Sequence, residues 1–358
     1  MIRAVPSVAA MASYALADLG DSRAVSLAQN ESAFPASPRA ISAGAEALTH
    51  ATLYPDPDWQ DLRAAIASVH RLPADRLLCG AGSMELIGSL IRAFAGPGDE
   101  VLGTEFGYLF VATACQQSGA RYLRADEPDM TVSVDLLLRG ITPATRIVFL
   151  CNPGNPTGTR IPNAEILRLR DGLPTDVLLV VDQAYGEFDD QDQTAVFDMV
   201  ERGDTVVLRT FSKAHGLASA RVGWGYFPPA IGAETRKLLN PNNISSVSQA
   251  LATAAMLDQT HMAGVVSKTA EIRDRFADRL RQVGLQIPKS HTNFVLIRFA
   301  DAIAAGAADA ALRDAGFILR VMGGYGLPHC LRATIASEDV MNAVAEILER
   351  QESAHHAH

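Results

Sequence analysis

The chain has 358 residues, 48 % hydrophobic and 20 % charged, and its 31 basic against 40 acidic side chains leave a net charge of −9. That is ordinary usage for a folded protein of about two domains, and it excludes a disordered chain. The acidic balance disfavours broad contact with nucleic-acid phosphates or anionic membranes, and no apolar run approaches the roughly 20 residues of a membrane span.

At the N-terminus, Arg3 followed by Ala4 to Ala17 has the outline of a secretory signal. Pro6, Ser7, Ser13 and Tyr14 dilute it, and the reading is an N-terminal arm of a cytoplasmic protein. From about residue 75, short apolar runs alternate with amphipathic stretches, the pattern of a parallel sheet with crossover helices. The spacing of Met84, Ile87, Ile91 and Phe94 predicts a helix over 83–95, stopped by Gly96-Pro97-Gly98. Val101-Leu102 reads as a short strand, followed by a helix through Phe110 and Ala114 that closes at Gly119. The runs 146–150, 177–181 and 205–209 are nearly continuous and β-branched, as expected of strands covered on both faces.

After about residue 245 the character changes. A helical stretch covers 247–283 with one break, followed by strand-like 294–299, a helix over 302–315, strands at 317–321 and 330–335, and a last helix over 338–350. This is a smaller α+β unit after a large α/β one, with a boundary near 240–250. The tail 353–358, with His355, His356 and His358, reads as a frayed end rather than a metal site. Cys79, Cys115, Cys151 and Cys330 contain no C-x-x-C pair, which removes zinc and dithiol readings; no metal is expected.

Three strand ends carry the chemistry, because open α/β sheets bind ligands at the carboxyl ends of their strands. The first strand ends in Cys151-Asn152-Pro153-Gly154-Asn155-Pro156-Thr157-Gly158, the second in Asp182-Gln183-Ala184-Tyr185, the third in Thr210-Phe211-Ser212-Lys213. If the strands are neighbours, Asn155, Asp182, Tyr185 and Lys213 converge. Lys213 is one of only four lysines in an arginine-rich chain, and a lysine amine can form an imine where an arginine cannot. The segment Cys79-Gly80-Ala81-Gly82-Ser83-Met84-Glu85 at a helix start suits a lone phosphate, with Ser212 and Arg221 to complete its cup. Glu85 stands where a dinucleotide fingerprint needs its third glycine, which argues against a nicotinamide cofactor.

Asn155-Pro156-Thr157-Gly158, Asp182-x-x-Tyr185, and Ser212-Lys213 with Arg221-Val222-Gly223 resemble the signatures of fold-type I pyridoxal-phosphate aminotransferases. The likeness extends from Asn30-Glu31, through Tyr54-Pro55 and Gly80-Ala81-Gly82-Ser83, to Tyr325-Gly326-Leu327-Pro328 and Leu331-Arg332. Within that class the chain looks most like histidinol-phosphate aminotransferases. The resemblance implies an α/β fold: a large domain with a mostly parallel, doubly wound sheet, plus a smaller α+β domain. Residues 1–44 would form an arm contributing to the small domain and dimer contacts, 45–245 the cofactor-binding domain and 246–358 the small domain.

The resemblance also implies roles. Lys213 would bind pyridoxal 5'-phosphate covalently and then move the substrate's proton; Asp182 would pair with the pyridine nitrogen. Tyr185 and Asn155 would hydrogen-bond the ring oxygen and Tyr108 would stack on the ring. Gly82, Ser83, Met84, Ser212 and Arg221 would hold the phosphate, with Tyr54 reaching it from the partner subunit of a homodimer with shared sites. Arg332 would take the substrate's acid group, and Arg320 and Tyr14 would serve a substrate phosphate. The implied reaction converts imidazole-acetol phosphate and glutamate into histidinol phosphate and 2-oxoglutarate. Alternatives are an aromatic or other amino-acid aminotransferase and a decarboxylase of the threonine-phosphate type. Three departures bear on the substrate: Asn30-Glu31-Ser32-Ala33-Phe34 in place of Asn-Glu-Asn-Pro-Tyr, Pro241-Asn242-Asn243 where Pro-Tyr-Asn is common, and His215 where an apolar residue is usual.

Overall fold

A computed structural model describes residues 2–11 and 24–356. Its strands, in chain order, are β1 (Val25–Leu27), β2 (Leu77–Gly80), β3 (Glu100–Thr104), β4 (Arg121–Ala125), β5 (Thr145–Cys151), β6 (Leu178–Asp182), β7 (Thr205–Thr210), β8 (Gly223–Tyr226), β9 (Phe294–Arg298), β10 (Phe317–Val321) and β11 (Cys330–Thr334). They form a seven-stranded sheet in the order β2-β8-β7-β6-β5-β3-β4 and a four-stranded sheet in the order β1-β10-β11-β9.

In the large sheet β3 to β7 are mutually parallel, and β8 runs antiparallel between β2 and β7. Every residue of β6 and β7 is buried, so both faces are covered. Burying each such Val or Leu contributes about 1.5–3 kcal/mol, which is why an unbroken apolar run is stable here and nowhere on a surface. Because β5, β6 and β7 are neighbours, their carboxyl ends open on one edge. The predicted helix over 83–95 is observed as Ser83–Phe94, and the next as Leu109–Ser118, ended by Gly119 with φ +82°. β8 (Gly-Trp-Gly-Tyr) carries no apolar run, and its two glycines conceal it in the sequence. The spacing of Gly223 is forced: a Cβ there would collide with the backbone at Ser83.

The long helical stretch is two helices, Ser246–Leu257 and Gln259–Gln282, broken at Asp258. Its carboxylate caps the second helix at His261 N–H and accepts from Ser37 Oγ at 2.6 Å. Ala252, Ala255 and Met256 lie in the apolar core around the large sheet, whereas Ile272, Phe276 and Leu280 of the second helix lie in the core of the small sheet. The first of these helices thus packs into the core around the large sheet. The arm is likewise shared: β1 pairs in parallel with β10 of the small sheet, while Ala40 sits in the large core. The last helix, Glu338–His356, runs past Arg350 because no glycine or proline stops it; residues 357 and 358 of the tail lie outside the described residues. Among the described residues no helix is long and apolar enough to cross a membrane.

Candidate active site

A cavity of about 450 Å³ opens where β5, β6 and β7 end, closed on its other side by residues 28–31, Arg320, Tyr325 and Arg332. It collects most of the predicted residues: Asn155, Asp182, Tyr185 and Lys213 from the strand ends, Ser83 and Met84 from the helix start, and Ser212, Arg221 and Tyr108. Asp182 arrives by register, since Cys151 of β5 pairs with Asp182, and Asp182 with Leu208 of β7; Lys213 follows just beyond the end of β7 at Thr210.

Asp182 is buried, and its Oδ1 accepts the Ala184 N–H at 3.0 Å. Burial pushes its carboxyl up to about 7, the one backbone donor only partly opposing this. Lys213 is moved the other way. Burial first, then the Arg332 guanidinium, lower its amine to about 7. Its Nζ donates to the carbonyls of Gln29 at 3.1 Å and Asn30 at 2.9 Å. An amine held near 7 is half free base at neutral pH and is a ready nucleophile.

One expected result follows. The rate at which Lys213 captures an added aldehyde, read by borohydride trapping and mass spectrometry, should rise about tenfold from pH 6 to pH 8 and then level. An amine at its ordinary value would keep climbing about tenfold per unit to pH 10, and that result would refute the assignment.

At the helix start, Arg221 (φ +53°) reaches back to Ser212 Oγ at 3.3 Å and the Ala218 carbonyl at 2.9 Å. Gly82 has φ +80°, and a Cβ there would collide with the Arg221 guanidinium. Backbone, hydroxyls and guanidinium are thus gathered at a helix N-terminus, the donor set of an anion cup. Gly82 shapes this cup without lining the cavity itself. Asn243 Nδ2 donates to Glu85 Oε2 at 2.6 Å, and that carboxylate accepts the Ala81 N–H at 2.6 Å. Asn243, the residue this segment shares with the common Pro-Tyr-Asn pattern, therefore braces the cup.

From the small sheet, Arg332 NH1 donates to Asn155 Oδ1 at 2.5 Å and NH2 to the Ala28 carbonyl at 2.9 Å, while its buried Nε has no partner. Arg320 and Arg332 are cross-strand register partners on β10 and β11. Like charges opposed this way repel, so an anion between them relieves a cost already built into the sheet.

Three predicted positions stand apart. Tyr54 is 89 % exposed and does not line this chain's cavity. Tyr14 lies outside the described residues. His215 is buried against Phe211, ring centroids 4.9 Å apart, and packs rather than facing the cavity. Conversely, the reading of strand ends gave no role to Asn30, Thr210 or Tyr325, all of which line the cavity. Asn30 and Tyr325 stand in motifs that carry the resemblance; Thr210 directly precedes Phe211-Ser212-Lys213 and had a signal only in that position.

Comparison with known proteins gives the same direction. The sequence pattern of the family aminotransferase class I and II matches residues 22–348. The chain is 43 % identical over 330 residues to a histidinol-phosphate aminotransferase of Jannaschia sp. (strain CCS1), covering 92 % of this chain and 91 % of that one. It is 42 % identical over 333 residues to the histidinol-phosphate aminotransferase of Paramagnetospirillum magneticum, covering 92 % of each. The fold is similar to the crystal structure of histidinol-phosphate aminotransferase from Sinorhizobium meliloti in complex with pyridoxal-5'-phosphate, with TM-score 0.92, 27 % identity, and 99 % and 98 % of the two chains covered.

Proposed function

The chain belongs to the class I and II aminotransferases, and on that premise we propose that it transfers an amino group between glutamate and imidazole-acetol phosphate, giving histidinol phosphate and 2-oxoglutarate. What carries the reading is one cavity that holds a desolvated amine and a buried carboxyl from the large sheet against two opposed arginines from the small one.

The residues present fit pyridoxal 5'-phosphate. The anion cup of Ser83, Ser212 and Arg221 suits its phosphate, and Lys213 its aldehyde. The Asp182 carboxyl, buried with one backbone donor, gains most from a cationic N–H in the cavity. When bound, the cofactor supplies an electron sink for the substrate's α-carbon.

The chain's own groups do the rest. Lys213 would hold the cofactor's aldehyde and move the proton at the substrate's Cα; an amine near 7 can both give and take a proton at neutral pH. Asp182 would keep a proton on the ring nitrogen, and Tyr185 and Asn155 would donate to the ring oxygen. Tyr108 would cover a ring face and Met84 would add its backbone to the cup. Arg332 and Arg320 take the acid group of glutamate or the phosphate of its counterpart. Tyr54, exposed on this chain, would complete the partner's phosphate cup in a cytoplasmic homodimer, which the particle mass in solution tests.

Loaded enzyme mixed with single substrates tests the reaction. Histidinol phosphate and glutamate should each discharge the visible band, and phenylalanine should do so far more slowly. Discharge by phenylalanine and not by histidinol phosphate would overturn the substrate and leave the class; release of carbon dioxide would replace transfer by decarboxylation.

A further inference from the structure

The Tyr185 hydroxyl accepts a hydrogen bond from Asn30 Nδ2 at 2.8 Å, and both residues are buried. The orientation of that amide is fixed from behind. The Asn30 backbone N–H donates to Thr334 Oγ1 at 2.9 Å, which leaves the threonine proton to be given to Asn30 Oδ1 at 3.3 Å. With Oδ1 occupied as an acceptor, Nδ2 is the end that meets the phenol. The backbone of Asn30 is left-handed, φ +57°, a conformation asparagine tolerates better than most residues. Its carbonyl is held by Asn293 Nδ2 at 3.1 Å as well as by Lys213.

A phenol oxygen that accepts from an amide still carries one proton of its own. Among the described residues no protein acceptor takes it, and Tyr185 lines the cavity. We propose that Asn30 and Thr334 are a positioning pair that sets the direction of the Tyr185 proton, making the phenol a donor toward the cavity. The inference rests on the reading that the cavity holds pyridoxal phosphate, whose ring oxygen would receive that proton.

The other groups facing Tyr185 are Lys213, with Nζ 5.9 Å from the ring centroid, and Arg332, Cys151 and Tyr325. Burial keeps the phenol well above its ordinary value, so it stays protonated throughout the working range. Glu31, Arg332 and Arg221 act on Lys213. None of these groups is altered by a change at 30 or 334.

The test is the visible absorbance of enzyme loaded with pyridoxal phosphate, titrated with pH. In Asn30→Asp the side chain can only accept, so Tyr185 turns its proton away from the cavity; in Thr334→Val the amide loses its anchor. Removing a donor from the ring oxygen disfavours the deprotonated chromophore. Both variants should raise the midpoint by about one to two pH units, and Thr334→Ser, which keeps the hydroxyl, should restore it. Because Thr334→Val adds no charge, a shift common to both is not a charge effect. Coloured variants that both titrate at the parent midpoint overturn the inference and leave the amino-transfer reading intact. If Asn30→Asp does not fold, the Thr334→Val and Thr334→Ser pair decides by the same criterion. A wild-type protein that takes up no cofactor overturns the reading of the cavity, and this inference with it.

Discussion

Lys213→Ala should lower kcat for amino transfer by at least about 10⁴-fold, because one amine does two jobs: it is the covalent attachment point and the group that moves the α-proton. General acid–base transfer alone is typically worth about 10²–10⁴-fold, so loss of both functions sets that value as a minimum. The structure says why no neighbour substitutes. The other titratable groups lining the cavity are Asp182, Glu31, the phenols of Tyr108, Tyr185 and Tyr325, and guanidiniums, along with a buried thiol, Cys151, raised well above its ordinary value by burial. None is a free amine. The substitution should leave the fold intact, since the carbonyl of Asn30 keeps its bond from Asn293 when the lysine goes. Borohydride should then fix no cofactor to the protein, and an added small amine should recover part of the rate. Retention of more than about one part in a hundred of wild-type kcat would remove Lys213 from the reaction.

Asp182→Asn separates activity from stability. The amide keeps the shape and can still accept from the Ala184 N–H, but it carries no charge with which to hold a proton on a ring nitrogen. Loss of one preorganised electrostatic partner of this kind costs about 10²–10³-fold in kcat. The empty protein should respond oppositely. With a folded value near 7 against 3.8 unfolded, the native state binds the extra proton between those values, and the cost of burying the carboxyl grows as pH rises through that window. Asp182→Asn escapes that cost, so it should raise the Tm of the cofactor-free protein more at pH 8 than at pH 4. A variant with wild-type kcat, or a Tm difference that shrinks with rising pH, would contradict the role or the burial argument respectively.

The carboxyl ends of β5, β6 and β7 were legible because each signal is local. Apolar β-branched runs mark strands buried on both faces, and the polar residue that ends each run must stand at the sheet edge. Asn155, Asp182, Tyr185 and Lys213 followed from that alone, and the cup at Gly82-Ser83 from its small residues. The short antiparallel β8 escaped because two of its four residues are glycine, and the core on which the helix 246–257 packs was not legible because buried alanines give no sign of which sheet they face.

What the amino-acid order determined by itself was the chemistry: which strand ends carry an amine, a carboxyl, an amide and a phenol. Tertiary structure alone decided how those groups are poised. The pairing of Asn30 with Thr334 spans 304 positions, and Asn30 reaches Tyr185 across 155. Nothing within a few residues of either partner specifies such a contact, since it forms only when β1 closes the small sheet beside β10 and brings the segment after it over the cavity. The displaced titrations of Lys213 and Asp182 have the same origin, because desolvation depends on everything packed around a group and not on its neighbours in the chain.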